Sequence, residues 1–362
     1  MEVFGIMCDR IRPHSTVVRR LCVHARATGF SRIALFTPSA VDPLRKRIRG
    51  YVYTHRRWRH ATFPFPSIVH DIGQYTDKKT IARVKRIKYN SSLRFTGYGI
   101  GNKAEVEQAL KQHPLISQYL IPGILLDNPN DDLDETLVFL HECGRVMVKP
   151  LNGSKGKGIK RVSKEAEKVI IEENGKKPFV CTCDELKMIW RRWQRENRYI
   201  VQKWIDINWM NERHDSGSPS DIRVVVHKNG SGTWQLGGMG IRLGAEGNVT
   251  SNVYCGGAIL PFIPSLCTYF DEKQAFDLAA RCEKLSLTVA RHLETVRKRR
   301  LVELGIDLGV DKDGRLWLIE VNVKPGRKTI RRLYGWKRFD ETIKAQVEYA
   351  RYLLHSDRCA QG

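Results

Sequence analysis

The sequence predicts an α/β (α+β) protein in two parts, a small α/β domain over residues 1–98 and a larger α+β domain over 99–355. Three observations carry the prediction. Strand-like apolar runs alternate with helical spacing in roughly the first 95 to 100 residues, and from Arg145 onward strand-like runs dominate. The third is apolar content: 41% hydrophobic residues, with 8 Trp, 12 Tyr and 12 Phe, supply more than one core in a chain of 362 residues.

In chain order, EVFGIMC (2–8) is a strand, residues 17–27 have helical spacing and RIALFTP (32–38) is a second strand, which makes a βαβ-like opening. YNSSLRFTGYGIGNK (89–103) is a turn-rich connector, followed by a helix over about 103–112. Beyond HPLISQYLIPG, DETLVFLHECG (134–144) is a helix closed by Gly144. Then come the strands RVMVKP (145–150), IKRVS (159–163), RYIVQKWI (198–205), DIRVVVH (221–227) and TWQLGGMGIRL (233–243), with an amphipathic helix at CDELKMIWRRWQREN (183–197). A long helix over about 271–298 leads into a β-hairpin, and no internal repeat stands out.

Charge and cysteines narrow the function classes. With 62 Lys and Arg against 39 Asp and Glu, the net charge of +23 favours an anionic partner. The basic stretches RKRIRG (45–50), HRRWRH (55–60) and RKRR (297–300) come without a recognisable nucleic-acid module, so they are expected to be solvated surface and nucleic acid is not the expected partner. Nine scattered cysteines, with Cys181 and Cys183 one residue apart, lack the spacing of a zinc or redox site and are expected to be reduced structural thiols. No secretory signal and no apolar run of bilayer length is present, so a cytoplasmic protein with no membrane span is expected.

The sharpest local signal is GIDLGVDKDGRLWLIEVNVKPG (305–326). Asp313-Gly314 between two apolar runs reads as a hairpin turn. A turn centred there places Asp307 opposite Glu320, with Asn322 on the same strand face. Leu316 and Leu318 extend that face by the same alternation and predict that it is buried. Two carboxylates and a carboxamide suit a hard cation, Mg²⁺ with Mn²⁺ as a substitute, since like charges are costly to bury together without one. VKPLNGSKGKGIKRV (148–162) supplies a lysine at a strand end, Lys149, and a basic glycine loop, Gly153, Ser154, Lys155, Gly156 and Gly158, whose backbone N–H groups can approach phosphate. Together these are the parts of an ATP·Mg²⁺ site, although neither a Walker loop nor the protein-kinase motifs are present.

The ordered set V-K-P, glycine loop, Q-K-W-I, D-I-R, an arginine strand, then Asp and E-V-N thirteen residues later resembles the ATP-grasp superfamily over roughly residues 100–330. Within it the chain looks most like the spore-coat-associated YheC/YheD family, and DIRVVVH and GIRLGAEGNVTSNVYCGG are locally similar to ribosomal-protein glutamate ligases. The resemblance implies an ATP-grasp fold in which two α+β subdomains, about 145–205 and 206–335, clasp ATP. It implies that Lys149 and Lys103 contact phosphates, that Gln202, Lys203, Trp204 and Ile205 line the adenine slot, and that Asp221 accepts from ribose hydroxyls. Many relatives have glutamate where this chain has Gln202. Arg223 and Arg242 would sit near the γ-phosphate or an acyl-phosphate, and Asp307, Glu320 and Asn322 would hold magnesium. NWMNERHDSGSPS (208–220) would be a lid or simply a loop.

Two functions remain open at this level. One is an ATP-dependent carboxylate-amine ligase acting through an acyl-phosphate on small-molecule or peptide carboxylates and amines. The other is a coat-associated protein that keeps its nucleotide site for binding or assembly and docks its basic surface on an anionic spore or wall polymer.

Overall fold

A computed structural model describes residues 2–54, 57–126, 133–153, 156–207, 219–244, 249, 251, 257–311 and 313–359. Three sheets organise them. The first is built from β1 (Val3–Met7), β2 (Arg32–Phe36), β3 (Val41–Asp42), β4 (Arg47–Thr54), β5 (Arg57–Pro64) and β6 (Ile68–Asp71). β1 pairs in parallel with β2, as the βαβ pattern predicts, with α1 (Thr16–Ala27) as the crossover, and on its other side β1 pairs in parallel with β6. The basic stretches 45–50 and 55–60 fall largely in β4 and β5, which pair antiparallel. α2 (Lys78–Asn90) follows this sheet, begun by an N-cap in which the Asp77 side chain accepts from the Thr80 N–H.

The second sheet holds β7 (Gly123–Leu126), β8 (Arg145–Pro150), β9 (Lys160–Glu165), β10 (Lys168–Glu173), β11 (Phe179–Cys181) and β12 (Tyr199–Lys203), in the order β11-β10-β9-β8-β12-β7. Helix α3 (Lys103–Lys111), opened by an Asn102/Glu105 capping box, and the short α4 (Pro114–Ser117) precede it. α5 (Leu133–Cys143) and α6 (Cys183–Glu196) cover one face: Val146 and Val148 of β8 and Val201 of β12 pack with Leu140, Leu186 and Trp190. Strand alternation sends Met147 and Lys149 to the other face.

The third sheet runs β15-β14-β13-β16-β17 and comprises β13 (Ser220–Lys228), β14 (Trp234–Leu243), β15 (Ala258–Pro261), β16 (Glu303–Val310) and β17 (Leu316–Val323). Its apolar face packs on α7 (Phe262–Leu266) and α8 (Glu272–Arg297) through Leu278, Cys282, Leu285, Val289 and Leu293. The last helix, α9 (Lys328–Cys359), kinks at Gly335, where φ is 71°. It returns to the start of the chain: Phe339, Ile343, Val347 and Leu354 complete a core with Phe4, Leu21 and Leu35. The sequence reading did not find this helix.

The β16–β17 hairpin has the predicted pairing but a different turn. Asp307 pairs with Glu320 and Gly305 with Asn322. Nearer the turn the register is shifted by one, with Val310 opposite Leu316 and Leu308 opposite Leu318, and a loop closed between Asp311 and Arg315. A β-bulge between these two zones absorbs Ile319 and restores the pairing at Asp307. The expectation that Leu316 and Leu318 share the carboxylate face is therefore overturned. They lie on the apolar face with Leu308 and Val310, and the bulge puts Glu320 and Asn322 opposite them.

Candidate functional site

β8 ends by projecting Lys149 into the gap between the second and third sheets. Its Nζ donates to Gln202 Oε1 at 2.8 Å, and Gln202 Nε2 donates to Glu107 Oε2 at 3.1 Å. Burial pulls the Lys149 ammonium down to about 8, against the attraction of Glu320. Lys103, at the first turn of α3, places its Nζ 3.1 Å from Glu320 Oε1 and donates to the Gly153 carbonyl at 3.2 Å. One ammonium thus joins the start of the glycine loop to the carboxylate hairpin. Gly156 and Gly158 both have φ of 72°, the left-handed backbone that favours glycine. Ser154 and Lys155 lie outside the described residues, as does most of 208–220.

Asp307 is the centre of the other half. β13 pairs with both β16 and β14, so Arg223 stands opposite Asp307 and Asp221 opposite Arg242. Arg223 grips Asp307 with Nε and, at 3.0 Å, a terminal nitrogen; Arg242 reaches Asp307 Oδ2 at 3.0 Å, and Asn322 Nδ2 donates to the same oxygen at 3.2 Å. Burial would raise the Asp307 carboxyl, but the two guanidinium groups outweigh it and hold the group below its usual range. Arg242 also forks onto Asp221, with Nε 2.6 Å from Oδ1, and Ser251 donates to Asp221 Oδ2. Asp221, expected to receive ribose hydroxyls, is in this structure the counter-ion of Arg242.

The hinge segment after β12 is fixed through its backbone. Lys203 N–H donates to the Pro122 carbonyl at 2.9 Å and Trp204 N–H to the Arg145 carbonyl at 3.0 Å. The Arg161 guanidinium, itself paired with Glu172, lies 5.1 Å from the Trp204 ring centroid. A cleft of about 400 Å³ brings Lys203, Trp204 and Ile205 together with Lys149, Asp307 and Glu320. Gln202 was expected to share that slot. Instead its side chain turns to Lys149 and lines a neighbouring crevice of about 1550 Å³.

Sequence reasoning missed Glu107, Arg161 and Ser251. A signal existed for Glu107, which lies four residues after Lys103 and so on the same face of α3. Nothing local marked the other two.

Residues 92–353 match the YheC/D like ATP-grasp family model. The chain belongs to that ATP-grasp family. Among curated relatives, it is 26% identical over 328 residues to the endospore coat-associated protein YheC of Bacillus subtilis (strain 168), covering 85% of each chain. It is 22% identical over 351 residues to YheD of the same organism, covering 91% of this chain and 72% of YheD. Among solved structures it resembles the D-cycloserine synthetase DcsG (TM-score 0.57, 14% identity, 97% of this chain and 99% of that one). It also resembles the D-alanine-D-alanine ligase from Coxiella burnetii (TM-score 0.54, 10% identity, 100% and 99%). At these identities the structural likeness establishes the ATP-grasp fold. The family uses ATP with a divalent metal, and among the described residues of this member no helix is long and apolar enough to cross a membrane.

Proposed function

We propose that the protein is an ATP- and Mg²⁺-dependent carboxylate-amine ligase acting through an acyl-phosphate, with the second and third sheets as the two clasping subdomains. The observation that carries this reading is the convergence of Asp307, Glu320 and Asn322 from two paired strands beside Lys103 and Lys149 in one cleft. The donor set is all oxygen on the acidic side and all ammonium on the other, which suits a hard cation and a polyphosphate. Asp307, Glu320 and Asn322 would hold the metal, which when bound neutralises charge on the transferring phosphoryl group.

In this reading Lys149 and Lys103 neutralise phosphate oxygens, and the glycine loop closes over them. Arg223 and Arg242 face the γ-phosphate and then the acyl-phosphate. Little acid-base machinery is needed when the amine arrives deprotonated. The relatives named for the endospore coat support a place in spore coat or cell-envelope assembly, for a protein made in the cytoplasm. The test is phosphate release from ATP across acid and amine libraries, with Asp307→Ala and Glu320→Ala as controls; ATP-dependent release lost in both controls is expected.

One observation favours the second reading, a nucleotide-binding coat protein without turnover. Both oxygens of Asp307 are engaged by Arg223, and one also by Arg242 and Asn322, so a metal must compete with guanidinium groups for this carboxylate. ATP binding with no release of phosphate in any combination would select that reading.

A further inference from the structure

The nucleotide cleft is not closed. Lys103, Lys149, Glu320 and Asn322 line both it and the crevice of about 1550 Å³, so the two spaces meet where the phosphates are placed. That volume exceeds the roughly 300–1,000 Å³ of a small-molecule site. The crevice lining carries ten Lys and Arg against four Glu. Four of these cations, Lys78, Lys157, Lys177 and Arg195, have no carboxylate partner among the described residues. They come from separate places in the fold: Lys78 opens α2, Lys157 follows the glycine loop's Gly156, Lys177 follows β10, and Arg195 is in the last turn of α6.

We infer that this crevice is the acceptor groove of the ligase and that its substrate is an acidic peptide. The inference rests on the ligase reading above and names its substrate class. A cationic lining concentrates an anionic chain at the junction. The carboxylates of this lining outside the metal set, Glu107, Glu173 and Glu196, oppose a nucleic-acid backbone with a charge at every phosphate, whereas they can accept from peptide N–H groups. At the junction a carboxylate oxygen of the peptide attacks the γ-phosphorus of ATP; the bond from that phosphorus to the β–γ bridging oxygen breaks and ADP leaves. The nitrogen of an amine, the second substrate, then forms a bond to the acyl carbon as the acyl carbon–oxygen bond breaks. Inorganic phosphate departs and the amine proton passes to solvent.

The experiment uses the full chain, ADP with Mg²⁺, and labelled hexaglutamate read by fluorescence anisotropy, with hexalysine and oligouridylate as competitors. Lys78→Glu/Lys177→Glu/Arg195→Glu is expected to weaken hexaglutamate at least tenfold and leave ADP affinity within twofold, which also shows that the variant folds. The conservative Lys78→Arg/Lys177→Arg/Arg195→Lys protein is expected to keep wild-type affinity, and hexaglutamate is expected to stimulate phosphate release from ATP. Hexaglutamate binding that the charge reversals do not alter, or tighter binding of oligouridylate, overturns the groove while ADP binding stands. Failure of the wild type to bind ADP overturns the ligase reading, and the acceptor role with it.

Discussion

Two buried carboxylates in this protein are each held by two cationic side chains, and only one of them borders the cleft proposed to hold nucleotide. Asp307 is gripped by Arg223 and Arg242. Asp71, at the end of β6, lies 2.9 Å from Lys88 Nζ and 2.8 Å from Lys324 Nζ and accepts from Tyr75 Oη at 2.9 Å. In the Asp71 cluster the lysines are also used up by the protein itself, Lys88 donating to the Gly97 carbonyl and Lys324 to the Gly73 carbonyl. The Asp307 cluster faces a cavity that also receives Lys149, whose ammonium is held by the neutral Gln202 amide, and the Lys103–Glu320 pair. Burial and ion pairing alone therefore do not mark a site; the bordering space and an ammonium whose partner is a neutral amide do. Asp71 instead acts as a pin, fixing the chain just beyond Asn322 to the first sheet through Lys324.

Asp307→Ala should break this comparison most severely. Phosphate release should fall by about 10²–10³-fold, the scale of losing one preorganised electrostatic contact to a transition state. The measurement is single-turnover ADP formation at saturating Mg²⁺, and a loss below tenfold would contradict the assignment of Asp307.

Asp71→Ala should act on stability instead. It leaves Lys88 and Lys324 buried without their carboxylate, a change that costs about 3 kcal/mol. Urea unfolding should show this, while single-turnover ADP formation in the folded protein should change less than in Asp307→Ala. Equal losses of turnover would show that the pin and the site are one unit.

A smaller effect follows from pH. Burial raises the Asp71 carboxyl, but Lys88 and Lys324 outweigh it and bring it from 3.8 to about 2. Below pH 4 the unfolded chain therefore binds the proton before the folded one does. The stabilisation is present above 3.8 and is lost as pH falls toward 2, about 2 kcal/mol in all. Asp71→Asn should flatten the stability profile between pH 4 and 2 by that amount relative to wild type.

What could be read in the sequence was what local pattern encodes. The strand ending in Lys149 and the hinge strand follow from patterns over a few residues, whereas the pairing of Asp307 with Glu320 is reached from a turn centred on Asp313-Gly314 and holds because two irregularities cancel. The turn itself was not legible, because a bulge at Ile319 compensates a one-residue shift near Asp311, and no residue pattern in 305–326 announces two cancelling irregularities. Asp221 with Arg242 and Arg223 with Asp307 depend on which strands become neighbours in the third sheet, a long-range choice. Asp71 and Lys324 meet across the whole chain, and α9 completes the first core from the opposite end. Gln202 was placed by resemblance in the adenine slot, whereas its strand face directs it to Lys149.

Gln202 also supplies the finest test of the contrast. Lys88 and Lys324 each have a carboxylate partner, but the hydrogen-bond acceptor of Lys149 is a neutral amide at 2.8 Å, and burial has drawn its pKa to about 8. The protonated ammonium is the form that binds phosphate. Wild-type nucleotide affinity should thus be level below pH 8 and weaken above it by up to about tenfold per pH unit, since each binding event must then take up a proton. Gln202→Glu puts a negative charge at the same position and stabilises the ammonium, so the fall should begin at least one pH unit higher. At pH 7 Lys149 is already charged, and the substitution should change ADP affinity by less than about threefold. Titrations of ADP binding between pH 6.5 and 9.5 decide it: superimposable profiles for the two proteins would mean that Lys149 does not meet the phosphates.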